Sequence, residues 1–234
     1  VGQINGLTIY DTGILMFGKP ARITASVSVG NSGIINIERE SEMSGSIHNK
    51  GVLIMSGFLQ EKFARNIPLS LTASIAFEQS YGGIDGDSAS AAEVYVLLSA
   101  LAEAPIKQNL AITGSINQKG DIQPIGGVNE KIRGFYEICK ERGLTGDQGV
   151  IIPEQNVKDL MVCTELLDAV KAKNFHIYSI KTIEEGIEPL MGVKPGSLGK
   201  NGKYTANSLF DRVTKRLEEL HKFSKESDDD KKKK

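Results

Sequence analysis

The chain has almost no net charge to offer a partner. Its 28 lysines and arginines nearly balance 29 acidic residues, for a formal net charge of −1, so neither nucleic acid nor an anionic membrane is expected to bind it through bulk electrostatics. No apolar run approaches the roughly 20 residues that span a bilayer, and no membrane segment is expected. Cysteine is scarce. Cys139 and Cys163 fall in expected helices without metal-ligand spacing and read as reduced core thiols. The three histidines, His48, His176 and His221, form no HExxH or other ligand pair, which leaves no sequence signal for zinc or for a histidine-based triad. A GxxxxGK[ST] loop is also missing, because Gly126 to Lys131 lacks its spacing and its Ser/Thr. The chain alone is therefore expected neither to bind nor to hydrolyse ATP. It begins with Val1 and shows no signal-peptide pattern. A piece of a longer, cytoplasmic protein is the expectation.

What is present is ordinary globular material: 234 residues, 40% hydrophobic and 24% charged. That is enough to bury a core in one domain, with or without an appendage. Gly2 to Tyr10 and Ala21 to Val29 alternate as strands, punctuated by Gly18-Lys19-Pro20. Gly30 to Gly33 reads as a turn that returns Ile34 to Ile37 as the second strand of a hairpin. A helix is expected from Ser46 to about Ala64, with Ile47, Ile54 and Phe58 in its buried stripe, ended by Asn66-Ile67-Pro68. Leu110 to Ile116 reads as one core strand, followed by a polar turn and an extended Ile122 to Ile125. Glu130 to Arg142 is a helix with Ile132, Phe135, Tyr136 and Cys139 on its apolar side. Strands and helices then alternate to Met191, the pattern of an α/β layer. Residues 192–206 are glycine-rich and read as a linker to a charged helix over Asn207 to Phe223. A low-complexity tail, Ser227 to Lys234, is expected to be disordered.

Two stretches carry chemistry. In the first, an alternating strand, Ser70 to Phe77, leads through Gly82, Gly83 and Gly86 into a helix over Ala89 to Ala102. Ser88 sits where the turn enters the helix, beside free N–H groups and the positive end of the dipole, a setting suited to an oxyanion. The same residues also fit a simple helix start, with Asp87 or Ser88 as N-cap. In the second, Lys131 stands in the first turn of a helix after Gly126-Gly127-Val128-Asn129. The dipole disfavours a cation there. Either the lysine is a solvated surface charge, or dipole and burial lower its pKa and free a neutral amine to act as a base. A neutral lysine amine is one way to activate a serine hydroxyl without histidine.

Asp85-Gly86-Asp87-Ser88-Ala89-Ser90, then Thr113-Gly114-Ser115, then Pro124-Ile125-Gly126-Gly127-Val128-Asn129-Glu130-Lys131 together resemble the proteolytic domain of Lon proteases. Lys131 follows Ser88 by 43 residues, the interval of that family's serine–lysine dyad. The resemblance runs from about Gly2 to Met191, which would make residues 1–191 the proteolytic domain, 192–206 a linker and 207–234 a helix with its tail. Asp87 and Ser90, where bacterial A-type members have Pro and Gly, look like the B-type or Lon-like branch. Ser74 and Ala76 stand where A-type members carry histidines.

The resemblance implies a compact α/β fold of the ribosomal S5 domain 2-like kind, assembled as a six-membered ring with the serines inside a chamber. It implies Ser88 as nucleophile, Lys131 as general base, Thr113 as support for the lysine amine, and the backbone N–H groups of Asp87 and Ser88 as the oxyanion hole. Asp85 matches an acidic position that in some members reaches the lysine in inactive states. Substrates would be unfolded or loosely folded polypeptides. No metal or organic cofactor would be needed, and ATP would serve only an AAA+ ATPase module on the N-terminal side of the full-length protein. The rival from another class is a non-catalytic, ring-forming scaffold in which Ser88 caps its helix and Lys131 is solvated.

Overall fold

The computed structural model describes residues 1–64 and 68–232, with side chains described as far as residue 226. The strands are β1 (Gln3–Asp11), β2 (Met16–Val29), β3 (Gly33–Asn36), β4 (Leu71–Phe77), β5 (Leu110–Ile112), β6 (Ser115–Ile116), β7 (Ile122–Gln123), β8 (Gly149–Pro153) and β9 (His176–Ile180). The helices are α1 (Ile37–Glu40), α2 (Ser46–Phe63), α3 (Ser90–Ala102), α4 (Val128–Glu141), α5 (Thr164–Lys171), α6 (Ile183–Met191) and α7 (Leu209–Lys232). Seven strands form one sheet in the order β3-β4-β2-β1-β5-β8-β9, and β6 and β7 form a separate hairpin. The fold is α/β, as expected.

Alternation along the strands sends side chains into two cores. On β8, Ile151 joins the core built on α3, whereas Val150 and Ile152 join the core built on α4. Helix α3, buried from Ser90 to Ser99, therefore lies on one face of the sheet, and α4 lies on the other. The apolar stripe of α4 is the expected one, Ile132, Phe135, Tyr136 and Cys139. Leu209, Phe210, Val213, Leu217 and Leu220 of α7 pack into the α3 core. Tyr204, in the glycine-rich stretch before α7, contacts the rings of Phe63 and Phe210. The expected disordered tail begins inside α7, and its side chains and residues 233–234 lie outside those described. Residues 65–67, placed at the end of α2 from sequence, also lie outside them.

Several local expectations are corrected. Gly18-Lys19-Pro20 does not interrupt β2, and Pro20 pairs with Leu7 inside the ladder. Strand β4 pairs with β2 only from Ile23 onward, so at Pro20 one side of β2 is open and the missing N–H breaks no bond there. The strand after Gly30–Gly33 is no hairpin partner of β2. β3 runs parallel to β4, which is inserted between the two. The buried stripe of α2 is His48, Gly51, Val52, Met55, Phe58 and Leu59, while Ile47 is 53% exposed. Cys163 is exposed ahead of α5 and is no core thiol. Leu110 to Ile116 is two strands, broken at Thr113-Gly114.

Candidate active site

That break lies at the C-terminal end of β5, where α3 and α4 begin on opposite faces of the sheet. It is stitched to the turn before α3. Gly114 N–H and Thr113 Oγ1 both donate to the Ser88 carbonyl, at 2.8 and 3.2 Å. Ser115 Oγ donates to Asp87 Oδ2 at 2.7 Å, and Ile116 N–H donates to Ser90 Oγ at 3.1 Å. In a continuous strand the ladder would take up the Gly114 N–H, which the break frees for the Ser88 carbonyl. Gly83 and Gly86, at φ of 79° and 90°, supply the bends that bring the chain back to α3.

Ser88 does not cap α3. The N-cap is Ala89, in helical conformation and without a side-chain cap bond, and Asp87 is engaged by Ser115. The Ser88 hydroxyl instead lies 2.7 Å from Lys131 Nζ, which also donates to Thr113 Oγ1 at 3.1 Å. Lys131 is 2% exposed, so the solvated-lysine reading fails. Burial lowers its pKa to about 8, against a smaller upward pull from Asp87. Among the described residues no hydrogen bond uses the Asp87 or Ser88 backbone N–H.

Lys131 is placed by contacts that the sequence did not announce. β2 crosses α4 so closely that a Cβ on Gly18 would come within 2.5 Å of the Lys131 Cα. A Cβ on Gly134, one turn on, would enter the Gly18 carbonyl. Gly127, at φ 66°, begins α4 in a left-handed conformation that strains any residue with a side chain, and a Cβ there would also have to displace the end of the Ile9 side chain.

Asp85 is not brought to the lysine. Its Oδ1 accepts the backbone N–H of Ile47 and His48, at 3.1 and 3.2 Å, and so caps α2, whose own N-cap Gly45 has no side chain to offer. Ser88 and Lys131 line a cleft of about 540 Å³ between the glycine turn, Pro124–Gly126 and residues 7–11 of β1. β1 pairs with β5 only at Asn5 and Gly6, so from Leu7 to Asp11 its edge on that side borders the cleft. A larger groove, of about 990 Å³, opens at the N-terminal ends of β5, β8 and β9 beside Lys107 and His176 and holds no comparable serine–lysine pair. Among the described residues no group of three His, Cys, Asp or Glu could hold a metal, and no helix is long and apolar enough to cross a membrane.

The profile of the Lon protease (S16) C-terminal proteolytic domain matches residues 74–192, which contain Ser88, Thr113 and Lys131. A Lon protease homolog of Escherichia coli (strain K12) is 44% identical over 195 residues, covering 82% of this chain and 33% of that protein. One from Haemophilus influenzae is 45% identical over 222 residues, covering 93% of this chain and 37% of that protein. An archaeal Lon protease of Thermoplasma acidophilum is 31% identical over 218 residues, covering 92% and 30%. The chain spans about a third of the length of these relatives. With a match over half its length, centred on the turn, the strand break and the helix that build this cleft, the chain belongs to the Lon protease (S16) proteolytic-domain family.

Proposed function

We propose that this chain is the proteolytic part of a Lon-type protease, a serine endopeptidase in which Ser88 is the nucleophile and Lys131 the general base. The observation that carries the reading is the buried Lys131 amine 2.7 Å from the Ser88 hydroxyl. A neutral amine has two N–H donors and one lone pair. One N–H goes to Thr113 Oγ1, and Thr113 in turn gives its own proton to the Ser88 carbonyl. The lone pair is then turned to the Ser88 hydroxyl. Ser88 Oγ attacks the peptide carbonyl carbon as its proton moves to Lys131. Lys131 returns that proton to the leaving amine as the C–N bond breaks, leaving an acyl-serine. Water, deprotonated by Lys131, attacks the acyl carbon and the proton passes back to Ser88. The unused Asp87 and Ser88 N–H groups suit the oxyanion. An extended peptide laid along the β1 edge beside Ser88 would meet unpaired backbone groups, a reading that favours unfolded polypeptide as substrate.

The relatives' threefold greater length supports a longer protein around this chain. We assign to it an upstream AAA+ ATPase module and assembly as a homohexamer. Casein and a tightly folded substrate, each incubated with the chain with and without ATP, test the reading. Casein is cleaved, Ser88→Ala is inert, and the folded protein is spared, since a stable fold opens only about 10⁻³ to 10⁻⁶ of the time. ATP-stimulated digestion of the folded substrate by this chain alone, or casein cleavage by Ser88→Ala, would overturn it. A scaffold would leave casein intact.

A further inference from the structure

β7 ends at Gln123, and the chain then runs along the catalytic cleft as Pro124-Ile125-Gly126 before Gly127 turns it into α4. That stretch has little to hold itself in place. Pro124 has no N–H, and a Cβ on Gly126 would meet no atom within 4 Å beyond its chain neighbours. Among the described residues no strand pairs with Ile125, and its partner is a side chain. Asn156 Oδ1 accepts the Ile125 N–H at 2.9 Å, and Asn156 Nδ2 donates to the Ile125 carbonyl at 3.1 Å. A side-chain amide carries a carbonyl and an N–H on one rigid plane, so it pairs with both groups of a single residue as a neighbouring strand would.

Asn156 lies in a short 3₁₀ helix, Glu154–Asp159, that follows β8 directly. It is 3% exposed and stands behind the cleft wall, since Pro124, Ile125 and Gly126 line the cleft and Asn156 does not. Its amide also reaches Asp159 Oδ2 at 3.4 Å. A second bracket joins the same two segments. Asn129, in the first turn of α4, accepts the Met161 N–H at 2.7 Å and donates to the Asp159 carbonyl at 3.0 Å. The arm from Glu154 to Met161 is thereby clamped at two points to the chain that runs from the cleft wall into the helix of Lys131. β8, paired on both sides by β5 and β9, gives the arm a fixed origin.

Ser88 and Lys131 are already tied to each other and to Thr113, and Lys131 is set by the crossing of Gly18 over α4. What Asn156 fixes is the surface that a polypeptide meets beside them. We propose that Asn156 is a positioning residue for the peptide substrate, holding the Pro124–Gly126 wall at the distance from the β1 edge at which an extended chain presents its carbonyl to Ser88. Without the bracket, a run that contains Gly126 and Gly127 is free to move, and it has to be ordered anew each time a peptide binds. That cost falls on peptides. A small reagent that reaches Ser88 without touching the wall escapes most of it. The proposal rests on the Ser88–Lys131 reading for its effect on rate but not for its effect on peptide binding.

Three measurements on the full chain test it. Asn156→Leu keeps the size of the side chain and removes both bonds to Ile125, and kcat/KM for a fluorogenic peptide is expected to fall by about 10- to 100-fold. Phosphonylation of Ser88 by diisopropyl fluorophosphate, which carries no peptide, is expected to fall at least about tenfold less than that. Asn156→Ser keeps a hydroxyl that cannot span both Ile125 groups. It shows the same split at smaller size and decides the matter where the leucine variant does not fold. In a Ser88→Ala background, Asn156→Leu weakens binding of the same peptide, labelled with fluorescein and followed by anisotropy, by about tenfold. Equal losses with peptide and small reagent overturn the proposal, because Asn156 would then support the dyad or the fold. No loss with either overturns it too. A wild type inert to both reagents overturns the dyad instead, and the binding ratio in the Ser88→Ala background still decides the role of Asn156.

Discussion

The carbonyl oxygen of Gly18 occupies the space that a Cβ on Gly134 would fill. This backbone-to-backbone crossing of β2 over α4 sets the depth of the helix and hence the reach of Lys131, whose Cα lies against Gly18 itself. Gly134→Ala and Gly18→Ala are each expected to destabilise by about 3 kcal/mol or more, beyond the ordinary cost of overpacking, because backbone cannot move aside as a side chain does. Urea denaturation measures it. Stability unchanged in both variants would mean that α4 sits elsewhere.

Thr113 links the two halves of the site, accepting from Lys131 and donating to the Ser88 carbonyl. Thr113→Val keeps the shape and removes both bonds. Acylation of Ser88 is expected to fall by about 10- to 100-fold, the range of one misplaced catalytic group, with Thr113→Ser restoring most of it. Single-turnover kinetics with a fluorogenic peptide separates this from a change in peptide binding.

Stability carries its own pH signature. The folded Lys131 pKa of about 8 lies below the ordinary lysine value of 10.5. Between the two the unfolded chain binds more protons, so this group adds stability as pH rises through that window. Glu93 has the opposite sign. Its pKa is raised from 4.5 to about 8, so the folded chain binds more protons between those values and loses stability as pH rises through them. Glu93→Gln is accordingly expected to gain stability relative to the wild type from pH 5 to pH 8, and Lys131→Met to lose the relative gain above pH 8. Thermal melts at several pH values read both slopes. Parallel curves for wild type and variants would place both groups in water.

What could be read from the sequence was local. The alternation of β4 and the apolar stripe of α4 needed only neighbours two, three or four positions away, and both appear as expected. Ser88, Thr113 and Lys131 were legible as parts of motifs, and the fold brings all three within hydrogen-bond reach. What was not legible depended on distant partners. Strand β3 follows β2 directly, yet β4, which begins only at Leu71, takes the place beside β2. In the α2 stripe Phe58 is buried as expected, but Ile47 is apolar and exposed, and nothing local distinguishes it from Val52 and Met55. The motif match places Asp85 at a position that in some members reaches the lysine, but here Gly45 leaves α2 without a side-chain cap and the Asp85 carboxylate supplies one. His48 reads from the sequence as an isolated histidine, since Glu93 and Phe77 come beside it only in the folded chain.

The central claim is that Lys131 activates Ser88, and intact-mass spectrometry after treatment with a peptidyl fluorophosphonate tests it most directly. One adduct per chain is expected, on Ser88, absent in Ser88→Ala and formed at least about 100-fold more slowly in Lys131→Ala, since nucleophile and base act as a unit. Circular dichroism of the two variants should match the wild type. No adduct on the wild-type chain, or a Lys131→Ala chain that is labelled on Ser88 as fast as the wild type, would contradict it.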